Sequence, residues 1–227
     1  MIEAVVFDLD GVLLDSEQIW DTAREQLVRE RGGRWHDRAQ QDMMGMSSPE
    51  WSRYMHDELG LTEAPEEISA EVVNRLEALY REELPLLPGA REAVERLAAR
   101  WPLALASSSN RPIIEFALEL AGLRSSFRAT VSSEEVARGK PAPDVYLEAA
   151  SRLGLDPRAC AAVEDSRNGI RSARAAGMCV IAVPNRVFPP GEDELAEADA
   201  VVDSLDDLTV ELVSACESGS SRRGRSA

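Results

Sequence analysis

"AVVFDLDGVLLDSE", residues 4–17, decides the fold. Four apolar residues, Ala4 to Phe7, run straight into Asp8-Leu9-Asp10-Gly11, with more acid at Asp15 and Glu17. A short apolar run that ends in polar loop residues reads as a strand buried on both faces, which is a strand of a parallel sheet. Carboxylates crowded at its end repel one another. Either they are solvated loop residues, or something positively charged belongs between them.

Outward from this stretch, short apolar runs alternate with helical patterns. Residues 103–106 (LALA), 160–163 (CAAV) and 180–183 (VIAV) read as further buried strands, with weaker candidates at 129–132 and 200–203. Amphipathic stretches lie at 89–100, 112–121, 142–153, 166–176 and 204–214. Strand–helix alternation predicts an α/β fold, a Rossmann-like three-layer sandwich with a parallel sheet between helices. One segment breaks the pattern. From Glu17 to about Leu86 the stripes Ile19, Ala23, Leu27 and Val72, Leu76, Leu79, Tyr80 are helical, and no strand is visible. Ser47-Ser48-Pro49-Glu50 is a helix start, and "LPLLPG" at 84–89 closes the segment. The expected organisation is a core from residues 1–16 and 87–216, an inserted all-helical cap domain at 17–86, and a frayed, disordered tail at 217–227.

Composition narrows the function. A net charge of −16 argues against nucleic acid and anionic membrane, which demand basic patches. Only "SRRGR" near the C-terminus is basic. No apolar run approaches the roughly 18 residues of a membrane helix, and Met1-Ile2-Glu3 enters the first strand directly, so neither span nor signal peptide is expected. Cys160, Cys179 and Cys216 are widely spaced, and the first two sit in apolar runs, which predicts buried free thiols and a cytoplasmic protein. His36 and His56 lack a Cys or His at ligand spacing and read as surface residues.

Ligands of open parallel sheets bind beyond the carboxyl ends of the strands. There the sequence places Asp8 and Asp10, then Ser107, Ser108, Ser109 and Asn110, then Lys140 after the weak third strand, then Glu164 and Asp165. Asp8, Asp10, Glu164 and Asp165 form an all-oxygen set that suits Mg²⁺ rather than zinc or copper. Ser107, its neighbouring backbone N–H groups and Lys140 suit a phosphate. Charges near 4 Å interact by roughly 4 kcal/mol at an effective dielectric of 20, so a carboxylate approaching a phosphate dianion needs both a metal ion and the lysine. Pro141 stands where a Walker-type loop would carry Ser or Thr.

Together, "FDLDGVLLDSE", "ASSSN", "GKPAPDVY" and "VEDSRNGI" resemble the four motifs of the haloacid dehalogenase superfamily of phosphotransferases. The likeness covers residues 2–16 and about 87–214, with the insert where that superfamily carries an α-helical cap, and is strongest to the β-phosphoglucomutase-like subgroup. The resemblance implies that Asp8 is the nucleophile, that Asp10 is the general acid and base, and that Ser107, Ser108 and Lys140 hold the phosphoryl group. It further implies that Asp8, the Asp10 carbonyl and Asp165 bind Mg²⁺, with Glu164 in the same site.

The expected activity is Mg²⁺-dependent hydrolysis of small phosphomonoesters through an aspartyl phosphate, with a phosphorylated metabolite as the one partner. A hexose-phosphate mutase is the alternative. Against it, Ile19-Trp20 stands where the mutases carry His, and Gly45-Met46-Ser47-Ser48 stands where they carry the Arg that grips a second phosphate. Outside the enzymes, a receiver-like phospho-acceptor module orders similar residues but is about half as long and lacks the insert. Met43, Met44 and Met46 either line an adaptable cap surface or fill ordinary core.

Overall fold

The computed structural model describes residues 1–43, 46–185 and 189–216. Met44, Gly45 and the expected tail at 217–227 lie outside the described residues. Six parallel strands form one sheet: β1 (Ala4–Phe7), β2 (Leu103–Ser107), β3 (Phe127–Ser132), β4 (Cys160–Glu164), β5 (Cys179–Ala182) and β6 (Ala200–Val201). Their order is β3-β2-β1-β4-β5-β6. The chain moves outward from β1 to β3, then returns to the other side of β1 with β4. The topological switch therefore falls between β1 and β4, where such sheets open a crevice.

After β1 come the four helices of the insert: α1 (Glu17–Glu30), α2 (Ala39–Met43), α3 (Ser48–Asp57) and α4 (Pro65–Glu82). Then α5 (Ala90–Ala98) precedes β2, α6 (Arg111–Leu120) precedes β3, α7 (Asp144–Leu153) precedes β4 and α8 (Arg167–Ala175) precedes β5. The short α9 (Glu192–Leu195) precedes β6, and α10 (Val210–Ala215) follows it.

Alternation along the strands sorts residues into two cores. Val5, Phe7, Leu103, Leu105, Ala161, Val163 and Ile181 face one layer, with α5, α6 and the insert. Ala4, Val6, Ala104, Ala106, Ala162 and Ala182 face the other, against α7 and α8. The second face is alanine-rich, which leaves room for Tyr146 of α7, fully buried there. Register pairs Phe7 with Leu105 on one side and Val163 on the other. One step further, Asp8 and Glu164 therefore emerge side by side from neighbouring strands.

The two links between insert and sheet pair with each other. Leu14 bridges Leu86 in antiparallel sense, the Asp15 N–H donates to Pro85 O at 2.8 Å, and the Leu87 N–H donates to Leu13 O at 2.9 Å. As read from sequence, α3 opens at Ser47, whose N–H donates to the Glu50 carboxylate at 2.8 Å. On α1, Trp20 rather than Ile19 is buried with Ala23 and Leu27. The expected helix over 204–214 is split into a 3₁₀ turn at Leu205–Asp207 and α10, because Thr209 caps a fresh start by accepting from the Leu212 N–H at 3.1 Å.

The cysteines differ from expectation. Cys160 is a free, buried thiol, but Cys179 and Cys216 form a disulfide with a Cα–Cα distance of 6.0 Å. Their separation of 37 residues hides the contact in the sequence: the end of α10 returns over the start of β5 within one core. Among the described residues no helix is long and apolar enough to cross a membrane.

Candidate active site

Asp8 leaves β1 with its N–H donating to Val163 O at 3.0 Å, which fixes it against β4. Its carboxylate is buried, and Lys140 Nζ lies 2.9 Å from Oδ1. This contact is ionic without the alignment of a hydrogen bond, so the buried Oδ1 keeps unfilled acceptor capacity. Lys140 also donates to Glu164 Oε1 at 2.5 Å, where the Tyr146 hydroxyl donates at 2.6 Å. Glu164 Oε2 accepts from the Asp165 N–H at 3.1 Å and from Ser166 Oγ at 3.2 Å. Both oxygens of Glu164 are thus engaged, and its part is to fix the lysine.

Burial lowers a lysine pKa, but the charges of Asp8 and Glu164 outweigh it here and raise Lys140 above its usual range. Asp8 is pushed up to about 8, first by burial, with Glu164 and Asp10 adding repulsion against the opposing pull of Lys140. Burial and the charges of Glu164 and Asp8 hold Asp165 well above the usual carboxylate range. The cluster has more buried negative charge than one lysine can match.

A divalent cation fits that imbalance. Oxygens of Asp8, Glu164 and Asp165 lie within 4.8 Å of one another, all three residues buried, with no nitrogen or sulfur donor among them. Two glycines make the space. Gly11 has φ +79°, and a Cβ there would meet Asp165 Oδ2 at 1.9 Å; a Cβ on Gly169 would meet the Glu164 carboxyl at 1.9 Å. An alanine at either position would push an acid out of the cluster.

Asp10 lies on the far side of Asp8, in the turn that carries the chain into α1. Ser16 Oγ and Trp20 Nε1 donate to its Oδ1 at 2.5 and 3.1 Å, and Ser109 Oγ donates to its Oδ2 at 2.6 Å. Hydroxyls accept as readily as they donate, so Ser16 and Ser109 can follow a proton on or off this carboxyl. Ser107 is fully buried and accepts from the Ser109 N–H at 2.9 Å. It shapes the loop, whereas Ser108 and Ser109 face the cavity.

That cavity, about 420 Å³, has Asp8, Asp10, Lys140 and Asp165 at its base. The insert supplies Glu17, Trp20, Arg24, Gln41, Met43, Met46 and Trp51. Met43 is thus both core and cavity wall. The structure brings Asp8, Asp10, Ser108, Lys140 and Asp165 to one cavity, with Glu164 and Ser107 directly behind it. The histidines are elsewhere: His36 pairs with the Tyr54 hydroxyl, and His56 with Glu63 O.

Sequence reasoning missed Ser109 as an Asp10 partner, Tyr146, and the aromatic group Trp20, Arg24 and Trp51. The spacing of Glu17, Trp20 and Arg24 along α1 was the available signal, since residues three or four apart share a helix face.

The chain matches the family of haloacid dehalogenase-like hydrolases over residues 2–177. It is similar to hexitol phosphatase B of Escherichia coli strain K12, with 36% identity over 218 residues, 92% of this chain and 95% of the relative. It is also similar to a phosphorylated carbohydrates phosphatase of Thermotoga maritima, 30% identical over 178 residues, 78% and 82% of the two chains. Among solved structures, CbbY from Rhodobacter sphaeroides in complex with phosphate superposes with a TM-score of 0.84 at 29% identity, covering 94% of this chain and 100% of that one.

Proposed function

The chain belongs to the haloacid dehalogenase-like hydrolases, and from that premise we propose that it hydrolyses small sugar-phosphate-like monoesters through an aspartyl phosphate on Asp8. The observation that carries this reading is the cluster of Asp8, Lys140 and Asp165 at adjoining strand ends, with Asp10 two residues beyond the nucleophile.

In the first step Asp8 attacks phosphorus, and Asp10 gives its proton to the departing sugar oxygen. In the second, Asp10 takes a proton from water as that water attacks the aspartyl phosphate. One group serving as acid and then base contributes about 10²–10⁴-fold. Lys140 and the Ser108 and Ser109 edge of the cavity hold the phosphoryl oxygens, while Glu164 and Tyr146 keep the lysine in place. Asp8, Asp165 and the Asp10 carbonyl would hold Mg²⁺, which when bound supplies the positive charge that lets a carboxylate approach a phosphate dianion.

Residues 17–86 act as a lid over this chemistry. Their paired links at Leu14 and Leu86 form a two-stranded hinge, and closure brings Trp20, Arg24 and Trp51 over the substrate while excluding bulk water. The partner is a small phosphorylated metabolite. Such charged molecules do not cross membranes unaided, which supports a cytoplasmic enzyme, although the Cys179–Cys216 disulfide is unlike most proteins of a reducing compartment. The second reading, a hexose-phosphate mutase, draws support from Arg24, a guanidinium in the cavity wall.

The test is release of inorganic phosphate from p-nitrophenyl phosphate and from hexose and hexitol phosphates, with and without Mg²⁺. Asp8→Asn should lose nearly all turnover while its folding, followed by circular dichroism, stays intact. Near-parental turnover in that variant would remove Asp8 from the reaction.

A further inference from the structure

Arg24 is the one cavity-lining cation without an acidic partner among the described residues. Lys140 pairs with Asp8 and Glu164, Arg167 with Glu194 at 3.2 Å, and Arg171 with Glu197 at 3.1 Å. Arg24 has aromatic partners instead. Its Cζ lies 4.8 Å from the Trp20 ring centroid and 4.9 Å from that of Trp51. The two rings stand 6.0 Å apart at 65° to each other, in edge contact, and clamp the guanidinium from one side.

Stacking occupies the faces of a guanidinium and leaves the N–H donors along its edge. Arg24 Nε is buried with no acceptor. Asp21, one turn back on α1, does not satisfy it, since Asp21 Oδ1 is also buried without a partner. Glu17 lies two turns back and makes no ion pair with it, although its charge reaches Arg24 through the cavity. Burial pulls the guanidinium down to about 10, with neighbouring carboxylates resisting, so it stays charged near neutrality. A charged group in that position is costly unless something anionic completes it.

Resting on the reading of this cavity as the phosphatase site, we infer that Arg24 is a specificity-determining residue that binds a second anionic group on the substrate, remote from the phosphate under attack. The class is a phosphorylated sugar acid or a sugar bisphosphate, because both end in oxygens that an Arg edge can grip in two parallel hydrogen bonds. The phosphate end lies against Lys140 and Ser108, and the second anion lies at the Arg24 edge, beside the tryptophans of α1 and α3. This sets the chain apart from a relative named for hexitol phosphates, whose far end carries no charge.

Two matched substrates test the inference. 6-Phosphogluconate and sorbitol 6-phosphate have the same carbon chain and differ at the far carbon, carboxylate against alcohol. The parent should favour the acid in kcat/KM by about tenfold or more, the scale of one charge-assisted bidentate contact. Arg24→Gln should bring that ratio toward one, and Arg24→Lys should restore part of it. Glucose 1,6-bisphosphate against glucose 6-phosphate shows whether a second phosphate serves as well as a carboxylate. Should Arg24→Gln fail to fold, the parent's own preference still decides. Equal turnover of charged and uncharged partners overturns the inference and leaves the phosphatase standing; a preference that survives Arg24→Gln also overturns it. If none of the four esters releases phosphate, the phosphatase reading falls and the inference falls with it.

Discussion

Trp20 Nε1 donates a 3.1 Å hydrogen bond to Oδ1 of Asp10, so a residue of the insert holds the group assigned to proton transfer. The same indole forms one wall of the Arg24 clamp. The position of α1 and the aim of the Asp10 carboxyl are therefore linked, and a lid that tilts away also releases the acid.

Trp20→Phe isolates that link, because phenylalanine keeps an aromatic wall and loses the N–H. It should cost about 1 kcal/mol in stability, the usual net worth of one hydrogen bond. Its kinetic mark is selective: turnover of alkyl phosphates, whose leaving oxygen needs a proton, should fall several-fold further than turnover of p-nitrophenyl phosphate. Equal losses on both ester types would mean that Trp20 only packs.

Glu164→Gln addresses the group behind the lysine. It leaves Lys140 beside Asp8 but removes one of the two charges that hold it. Breaking one side of a buried ion pair costs about 3–5 kcal/mol, so the variant's urea midpoint should drop sharply. Activity should fall with it, as Lys140 loses its fixed position. A stability within about 0.5 kcal/mol of the parent would show that Glu164 was carried in the fold without contributing.

The raised pKa of Asp8 makes metal binding pH-dependent. Asp8 rises from its ordinary 3.8 to about 8 in the metal-free fold. Between those values the folded state holds a proton that the unfolded chain has lost, so the stability of metal-free protein declines as pH rises through this window. A cation binds the carboxylate form and must displace that proton, so its affinity weakens by up to about tenfold per pH unit below 8. Melting curves with and without Mg²⁺ should show a larger stabilisation at pH 8 than at pH 6. A shift of equal size at both would sink the argument.

The strand ends were readable from sequence because parallel strands are apolar throughout and their polar residues begin where the sheet stops. Asp8, Lys140, Glu164 and Asp165 each follow or flank such a run, and topology alone brings them together. The insert was harder. Its helices announce themselves by period, but which face closes over the site depends on how α1, α3 and α4 pack, so Trp20 and Arg24 went unremarked as site residues beside the stripe of Ala23 and Leu27. The pairing of Cys179 with Cys216 was hidden for the same reason, since contact across 37 residues is set by packing and leaves no local pattern.

Phosphatase and mutase differ in what happens to the aspartyl phosphate. A mutase must keep water from it while the bound sugar bisphosphate turns round, which requires the lid to hold the second phosphate. Ser48, at the position expected to do this, is buried with its hydroxyl unpartnered, and a neutral hydroxyl lacks the bidentate grip of an arginine. Arg24 offers a grip from α1 instead, yet its aromatic clamp fixes it in one place, suited to a single far-end anion rather than to a bisphosphate that must reverse. Asp10 remains beside the cavity with Ser109 ready to take part in proton exchange, so water should be activated before the sugar returns. Supplying β-glucose 1-phosphate together with glucose 1,6-bisphosphate, and following glucose 6-phosphate and inorganic phosphate in parallel, should show phosphate release outpacing isomer formation by about tenfold or more, a barrier difference of roughly 1.4 kcal/mol. Isomer formed much faster than phosphate would make the enzyme a mutase and Arg24 the residue that holds its bisphosphate.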